Sequence, residues 1–351
     1  MNNFISGTGS AVPNVVKKNL DFAQAKFIDE QANAFPIETT EIIEKFSSIT
    51  GIEERRYAPD TVNSSDLAAE AAEKAIASAG IDRESIDYII VAHNFGDTPS
   101  NSVQSEPLPS LASKVKTKLG ILNPSCVAYD LLFGCPGWVE GLVQANAFIN
   151  AGIAKRCLVI GAETLSRVID PVDRDSMIFA DGAGASILEA TKDKAGILSH
   201  KSVTYTANNE IDMLYYDYSY DPSNKNKYIK MKGRKVYEFA LSHVPQAMKA
   251  CLDEAGIAIE DLKKIFIHQA NMKMDEAIVK RFYRLYRTAA PAAVLPMNIQ
   301  THGNSSVATI PTLYDQVLNE AIEGHQLEKG DIILFASVGA GMNINAITYR
   351  V

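Results

Sequence analysis

The chemistry available to this sequence rests on four cysteines, six histidines and a few glycine-flanked asparagines, and these are unevenly placed. Cys135 sits in the stretch LLFGCPGWVEGL (131–142), on a corner between an apolar run and a helical periodicity. A helix N-terminus carries roughly half a positive charge and unpaired N–H groups, and such sites lower a cysteine pKa from about 8.5 to ~3.5–7.5. Pro136 suits the first helical position and biases Cys135 towards extended backbone, so a helix is expected to begin at the sulfur. A small residue chosen for tight packing is the other use of such a corner. Cys157 lies within the strand-like RCLVIGA, and Cys251 lies on a helix among Ala and Leu, where a thiol behaves as a small hydrophobe.

A nucleophile needs a partner. His268 directly follows the strand-like KIFI, at a strand C-terminus, where α/β sheets collect catalytic residues. His93 occupies nearly the same place after IIVA, and geometry alone does not exclude it. His302 stands two residues before Asn304 and could line the same region, whereas His200, His243 and His325 read as surface residues.

An internal repeat is what would position these groups. Residues 72–94 and 247–271 each read as an amphipathic helix ending at Ala-Gly-Ile, a short acidic link and a β-branched strand. Residues 155–163 match 329–337, and Gly134-Cys135 matches Gly303-Asn304, each pair opening a helical stretch. The offsets are 176 residues (Gly80 to Gly256), 174 (Lys155 to Lys329) and 169 (Gly134 to Gly303). Alternating strands and helices predict an α/β chain with mostly parallel, doubly covered sheets. A tandem duplication sets equivalent corners near a pseudo-twofold axis, so Cys135 and Asn304 are expected to face each other. The halves are expected at 1–195, with the nucleophile, and 196–351, with the histidine and asparagine. The stretch 205–235, rich in Tyr and Lys, has no counterpart in the first half.

With 46% hydrophobic and 22% charged residues the chain can bury a sizeable core. Its start has no charged n-region or long apolar h-region, and no stretch approaches the ~20 apolar residues of a membrane span. Four cysteines without a Cys-x-x-Cys pair argue for reduced thiols, so a cytoplasmic protein with no membrane partner is expected. The net charge of −8 makes nucleic acid an unsuitable partner, and no histidine has metal-ligand spacing to a cysteine or another histidine.

Taken in order, GTGSAVP (7–13), TGIEERR (50–56), GCPG (134–137), DRDSMIFADGAGASIL (173–188), IHQAN (267–271), HGNSSVATIP (302–311) and FASVGAGMN (335–343) resemble the thiolase superfamily. Within it they resemble the β-ketoacyl-acyl carrier protein synthase III group, nearly end to end. The resemblance implies a duplicated thiolase-like fold, layered α-β-α-β-α, with two mixed, mostly parallel sheets. It also implies a homodimer, acyl carrier protein as partner, and acyl and malonyl thioesters as substrates with no cofactor. Cys135 would accept the acyl group, His268 and Asn304 would flank the malonyl thioester, and the N–H groups of Cys135 and Ala340 would hold an oxyanion. The implied activity is a decarboxylative Claisen condensation with malonyl-carrier protein, in fatty-acid or polyketide-like synthesis. An acyltransferase serving another nucleophile in a secondary pathway is the alternative. So is a non-condensing partner subunit, against which the intact Cys–His–Asn set argues.

Initiating members of that group resemble one another in an Asp-Glu-Trp sequence and an arginine before Thr-Gly-Ile, which hold the adenine end of coenzyme A. Here ETTEIIEKFSSITGI has no tryptophan, Ile49 precedes Thr50, and the one tryptophan in the chain is Trp138. Without a stacking ring, a carrier-borne primer is expected in place of acetyl-coenzyme A. Arg174 matches the group's pattern, while Lys273 stands where an arginine usually follows and lacks its planar fork. Basic runs at 224–235, including Lys230 and Arg234, and at 280–287, with Arg281, Arg284 and Arg287 along one helix face, are expected to dock an acidic carrier. Arg174, Lys273, Arg234 and Arg281 are the expected carrier- or thioester-binding set. The aromatic LYYDYSY (214–220) either caps an acyl pocket or packs on the surface.

Overall fold

A computed structural model describes residues 2–351. The first half begins with β1 (Asn2–Ala11) and a ribbon of β2 (Val15–Lys18) and β3 (Glu54–Tyr57), with α1 (Thr39–Thr50) inserted between them. It continues through α2 (Ser64–Ala79), β4 (Tyr88–Ala92), α3 (Leu111–Lys118), β5 (Val127–Leu131), α4 (Gly137–Asn150), β6 (Arg156–Thr164) and β7 (Asp181–Thr191). The second half runs β8 (Gly196–Thr204), a ribbon of β9 (Leu214–Tyr218) and β10 (Lys227–Met231), α5 (Gly233–Glu254) and β11 (Leu262–Ile267). It closes with α6 (Met272–Arg284), α7 (Ile299–His302), α8 (Thr309–Leu318), β12 (Ile332–Gly339) and β13 (Asn343–Arg350).

The repeat is visible in the strand order. One sheet is ordered β1-β7-β6-β4-β5 and the other β8-β13-β12-β11, so the chain passes between sheets after Thr191. The fifth place in the second sheet goes to an irregular segment whose Val294 carbonyl accepts the Ile265 N–H at 2.8 Å. Both sheets are mixed. β4 pairs in parallel with β5 and β6, and β11 with β12, whereas β1–β7, β6–β7, β8–β13 and β12–β13 are antiparallel. Parallel pairing is therefore narrower than the strand–helix alternation suggested, because β6 to β7 and β12 to β13 return without a crossover helix.

Five layers result. α2 and α3 cover the first sheet through an alanine-rich face, and α5 and α6 cover the second. Between the sheets, α4 and α8 share one core in which Trp138 meets Phe335 edge-on at 5.5 Å and Phe335 meets Tyr314 at 5.1 Å. Such aromatic pairs add ~0.5–1.5 kcal/mol each beyond area burial. The repeated Ala-Gly-Ile is a helix stop: Gly80 and Gly256 take the left-handed conformation after α2 and α5. Among the described residues no helix is long and apolar enough to cross a membrane.

The 205–235 excursion folds into the β9–β10 hairpin, and it corrects one reading of the basic run. Strand alternation turns Lys230 inward, where its Nζ lies 2.5 Å from Asp170 Oδ2 and 3.2 Å from Asp173 Oδ2, over the Tyr220 ring. Lys230 is a buried fastener and is closed to a carrier protein. Removing one partner of such a buried pair costs about 3–5 kcal/mol.

Candidate active site

Strands β4, β5 and β11 end on the same side of the molecule, and their following loops meet the 303–306 turn there. Cys135 follows β5 and lines a cavity of about 40 Å³ together with His268, Asn304, Asn94, Ser306 and Ala340. The three residues expected to act together therefore share one space.

The cysteine corner is built by close backbone approach. Gly134 adopts φ +67°, and a Cβ there would lie 2.7 Å from the Ala340 carbonyl oxygen. A Cβ on Gly339 would lie 2.5 Å from the Cys135 nitrogen. The loops carrying the Cys135 and Ala340 N–H groups can touch only because both positions lack side chains. Asn343 ties them, its Nδ2 donating to the Ala340 carbonyl at 2.9 Å and the Phe133 carbonyl at 3.3 Å. The helix starts one residue later than expected, since Pro136 is the cap and Gly137 the first residue of α4.

Charge at the sulfur also differs from the expectation. Burial pushes the Cys135 thiol up to about 11; the Ser306 hydroxyl bond and the local backbone N–H work against it, and Glu163 adds to it. The side of Cys135 that faces the cavity stays accessible, but desolvation outweighs the helix terminus, so the resting group is a thiol. Cys126, Cys157 and Cys251 are buried, and burial raises each.

Three members of the His-Gln-Ala-Asn segment have separate tasks. His268 faces the cavity, and burial lowers it to about 4, so it is uncharged near neutrality. Its Nδ1 lies 2.8 Å from Thr309 Oγ1, a hydroxyl that also lies 2.9 Å from the Ser306 carbonyl. With its hydrogen on that carbonyl, Thr309 accepts from Nδ1–H; turned to Nδ1, it leaves the ring hydrogen on Nε2. Gln269 is buried and accepts the N–H groups of Asn298 and Ile299 at 3.1 and 3.0 Å, fixing the loop that leads to Asn304. Asn271 caps α6 by accepting the Met274 N–H at 3.0 Å.

Asn304 is held by the first half of the chain. Its N–H donates to the Ile178 carbonyl at 2.9 Å, and its own carbonyl accepts the Ala180 N–H at 2.8 Å. The Ser306 N–H donates to Asn304 Oδ1 at 2.8 Å, which leaves Nδ2 to donate. Sequence reasoning missed Asn94, Glu163 and Ser306, which join in a partly buried chain beside the sulfur. Asn94 Nδ2 donates to Glu163 Oε1 at 2.5 Å and Ser306 Oγ at 3.0 Å, and Ser306 Oγ donates to Cys135 Sγ at 3.2 Å. Burial raises Glu163 to about 8.

The other candidates lie elsewhere. His93 Nε2 is 3.0 Å from Asp130 Oδ2, and His302 bonds Gln316 and Thr301 outside the cavity. A wider cavity of about 480 Å³ adjoins the Cys135 cavity and shares Ile178, Met231, Val236, Ala270 and Met274 with it. Its other walls include Ile37, Ile42, Phe46, Ile49 and Tyr237, with Lys45, Arg174 and Arg234 also lining it. Arg174 also stacks over Phe35 at 4.4 Å, and Arg234 pairs with Glu238 at 2.9 Å. Lys273 is exposed and lies outside both cavities. Arg281 donates to the Leu241 carbonyl at 3.1 Å and so fastens α6 to α5. α6 ends at Arg284, so Arg287, at φ +60°, is past the helix and the expected three-arginine face is cut to two. From the hairpin, Leu214, Ile229 and Met231 line the Cys135 cavity, while Tyr216 and Tyr218 stay exposed. Among the described residues no cluster of three or more His, Cys, Asp or Glu is arranged to hold a metal ion.

Residues 129–206 match the family described as 3-oxoacyl-[acyl-carrier-protein (ACP)] synthase III, and residues 252–351 match its C-terminal counterpart. The chain is 34% identical over 355 residues to a β-ketoacyl-[acyl-carrier-protein] synthase III of Porphyra purpurea, covering 99% of this chain and 98% of that protein. It is 35% identical over 346 residues to the protein of the same description from Neisseria meningitidis serogroup C, covering 98% and 97%. The solved 3-oxoacyl-[acyl-carrier-protein] synthase III of Aquifex aeolicus superposes with a TM-score of 0.82 at 28% identity, covering 99% of this chain and all of that one.

Proposed function

The chain belongs to the 3-oxoacyl-[acyl-carrier-protein] synthase III family and is a condensing acyltransferase, and from that premise we propose how its residues divide the reaction. Cys135 attacks the carbonyl carbon of an acyl thioester; the new C–S bond replaces the old one, and the thiol proton leaves with the departing carrier thiol. This covalent intermediate divides a hard step into two easier ones. Malonyl-carrier protein then loses CO₂, and the electron pair of the broken C–C bond forms an enolate. The uncharged His268, with Thr309 turned to Nδ1 and the ring hydrogen on Nε2, and the Nδ2 of Asn304 donate to the enolate oxygen. The carbanion attacks the Cys135 thioester, the Cys135 and Ala340 N–H groups hold the second oxyanion, and the released Cys135 thiolate takes up one proton. These steps balance without a metal or redox cofactor.

The convergence of Cys135, His268 and Asn304 on one cavity of about 40 Å³ is the observation that carries this reading. The adjoining cavity supports a carrier-borne primer: Ile49, 54% exposed, offers no ring and no charge for a nucleotide, while Arg174 and Arg234 stand ready for a phosphate. Acyl carrier protein thus brings both substrates, docking with Arg174 and Arg234, while Lys230 and Arg281 are engaged within the fold. The protein acts as a homodimer. Edge strand β5 supports this, since Val127 and the adjoining Leu132 are 44% and 68% exposed, and a C₂ pair buries such an edge. Incubation with malonyl-carrier protein and a panel of acyl thioesters, read by intact mass, tests the reading. A 3-oxoacyl-carrier product is expected; acyl transfer with no carbon–carbon bond would reject it.

A further inference from the structure

Ser306, which has no part in the steps above, touches the framework of all three catalytic side chains. Its Oγ donates to Cys135 Sγ at 3.2 Å, and its N–H donates to Asn304 Oδ1 at 2.8 Å. Its carbonyl lies 2.9 Å from the Thr309 hydroxyl, which in turn lies 2.8 Å from His268 Nδ1. Ser306 does this from φ +53°, a left-handed conformation that non-glycine residues seldom adopt. Such strain persists where the surroundings over-determine it, and it clusters at active sites.

The direction of the Ser306 hydroxyl is set from behind. Glu163 Oε1 accepts both the N–H of Asn94, at 2.8 Å, and one hydrogen of its Nδ2, at 2.5 Å. The other Nδ2 hydrogen goes to Ser306 Oγ at 3.0 Å. A hydroxyl that is accepting from Asn94 has its single hydrogen free for the sulfur.

We propose that Ser306 is a positioning residue for acylation: aimed by Asn94 and Glu163, its hydroxyl holds the Cys135 sulfur in line and supports negative charge there during attack. The inference rests on Cys135 being the acyl acceptor. No bond is made or broken at Ser306, whose hydrogen stays on Oγ throughout. Hydrogen bonds to a charged atom are roughly twice as strong as neutral ones, so this contact favours the thiolate over the thiol. The ionisable groups facing the sulfur are His268, just after β11, and Glu163 from β6; His93, beside Asn94, lies against Asp130.

Two variants test this. Ser306→Ala removes the hydroxyl and retains the N–H and carbonyl; Ser306→Gly does the same in a residue for which φ +53° is relaxed. Alkylation of Cys135 by iodoacetamide across neutral to alkaline pH, acyl transfer from acyl-carrier protein, and decarboxylation of malonyl-carrier protein are measured in each. The rising limb of alkylation moves to higher pH and acyl transfer slows by on the order of tenfold, while decarboxylation falls far less. Asn94→Ala gives a weaker version of the same pattern. Wild-type alkylation and acyl transfer in a folded variant overturn the inference. So does an equal loss of acyl transfer and decarboxylation, which marks a purely structural role. If wild-type Cys135 takes no acyl group at all, the reading of the site fails instead.

Discussion

Of the two adjoining cavities, the one at Cys135 is about 40 Å³ and its polar atoms are held from the backbone; the outer one, the mouth, is about 480 Å³ and its apolar walls are led by four Ile and three Met. Near the sulfur, Asn304 is pinned by Ile178, Ala180 and Ser306, and Gly134 and Gly339 admit no side chain. At the mouth, Lys45, Arg174 and Arg234 lie along apolar walls, and Arg234 keeps 91% of its side chain in solvent. Chemistry demands fixed donors at a few positions. Delivery demands a slot that an apolar arm can slide through and a charge that steers without gripping.

If that division holds, damage at the inner end separates the half-reactions. His268→Ala and Asn304→Ala should each lose about 10²–10³ in condensation rate and still accept an acyl group on Cys135. Single-turnover acylation and steady-state condensation, measured on the same preparations, decide this. Near-wild-type condensation by Asn304→Ala would break the contrast at its stronger end.

An exception lies on α6, between the two regions. Asp275 is fully buried, and neither carboxylate oxygen has a hydrogen-bond partner among the described residues. Burial raises it well above 3.8, so its protonated form is the one the fold tolerates. Its contribution to stability is fully present below the unfolded pKa and is lost as pH rises towards the folded one. Asp275→Leu should therefore raise the melting temperature at alkaline pH, with the gain shrinking as pH falls towards 3.8. A gain independent of pH would mean that the carboxylate is partnered in solution.

The smallest effect belongs to the mouth. Ile49→Arg should lower KM for an acyl-coenzyme A primer by roughly fivefold at most, the range of one exposed ion pair, and leave kcat unchanged. Priming by acyl-carrier protein should weaken as salt rises, because its steering contacts are exposed. Wild-type priming by acetyl-coenzyme A at or above the rate of the acyl-carrier protein would return the mouth to nucleotide binding.

These regions also differ in how much of them the sequence discloses. Strand β4 holds the β-branched run Ile-Ile-Val and β11 ends in the apolar Ile-Phe-Ile, and Gly80 and Gly256 mark the ends of the preceding helices, so the duplication is legible from spacing. Cys135, His268 and Asn304 sit inside motifs dense in glycine and amide residues, and those motifs exist because backbone must approach backbone there. Asn94 and Glu163 give no such signal, and Ser306, although inside HGNSSVATIP, is not set apart there from Ser305; the separation of 212 positions between Asn94 and Ser306 is closed only by the fold. Lys230 misleads for the same reason. It stands in a basic run, with Lys227 and Lys232 nearby in sequence, while its partners are acids 57 and 60 positions away. The raised Cys135 also lies beyond reach of the sequence, since a helix start is legible but the desolvation that outweighs it depends on packing.

Acyl transfer to Cys135 followed by discharge to malonyl-carrier protein is the most direct test of the account. The protein is exposed to acyl-carrier protein, mapped by peptide mass, then chased with malonyl-carrier protein. The account predicts one adduct, on Cys135, that disappears in the chase as CO₂ and a 3-oxoacyl-carrier product form, and that persists in Asn304→Ala. A dominant adduct on Cys126, Cys157 or Cys251, or a Cys135 adduct that malonyl-carrier protein leaves intact in the wild type, would contradict it.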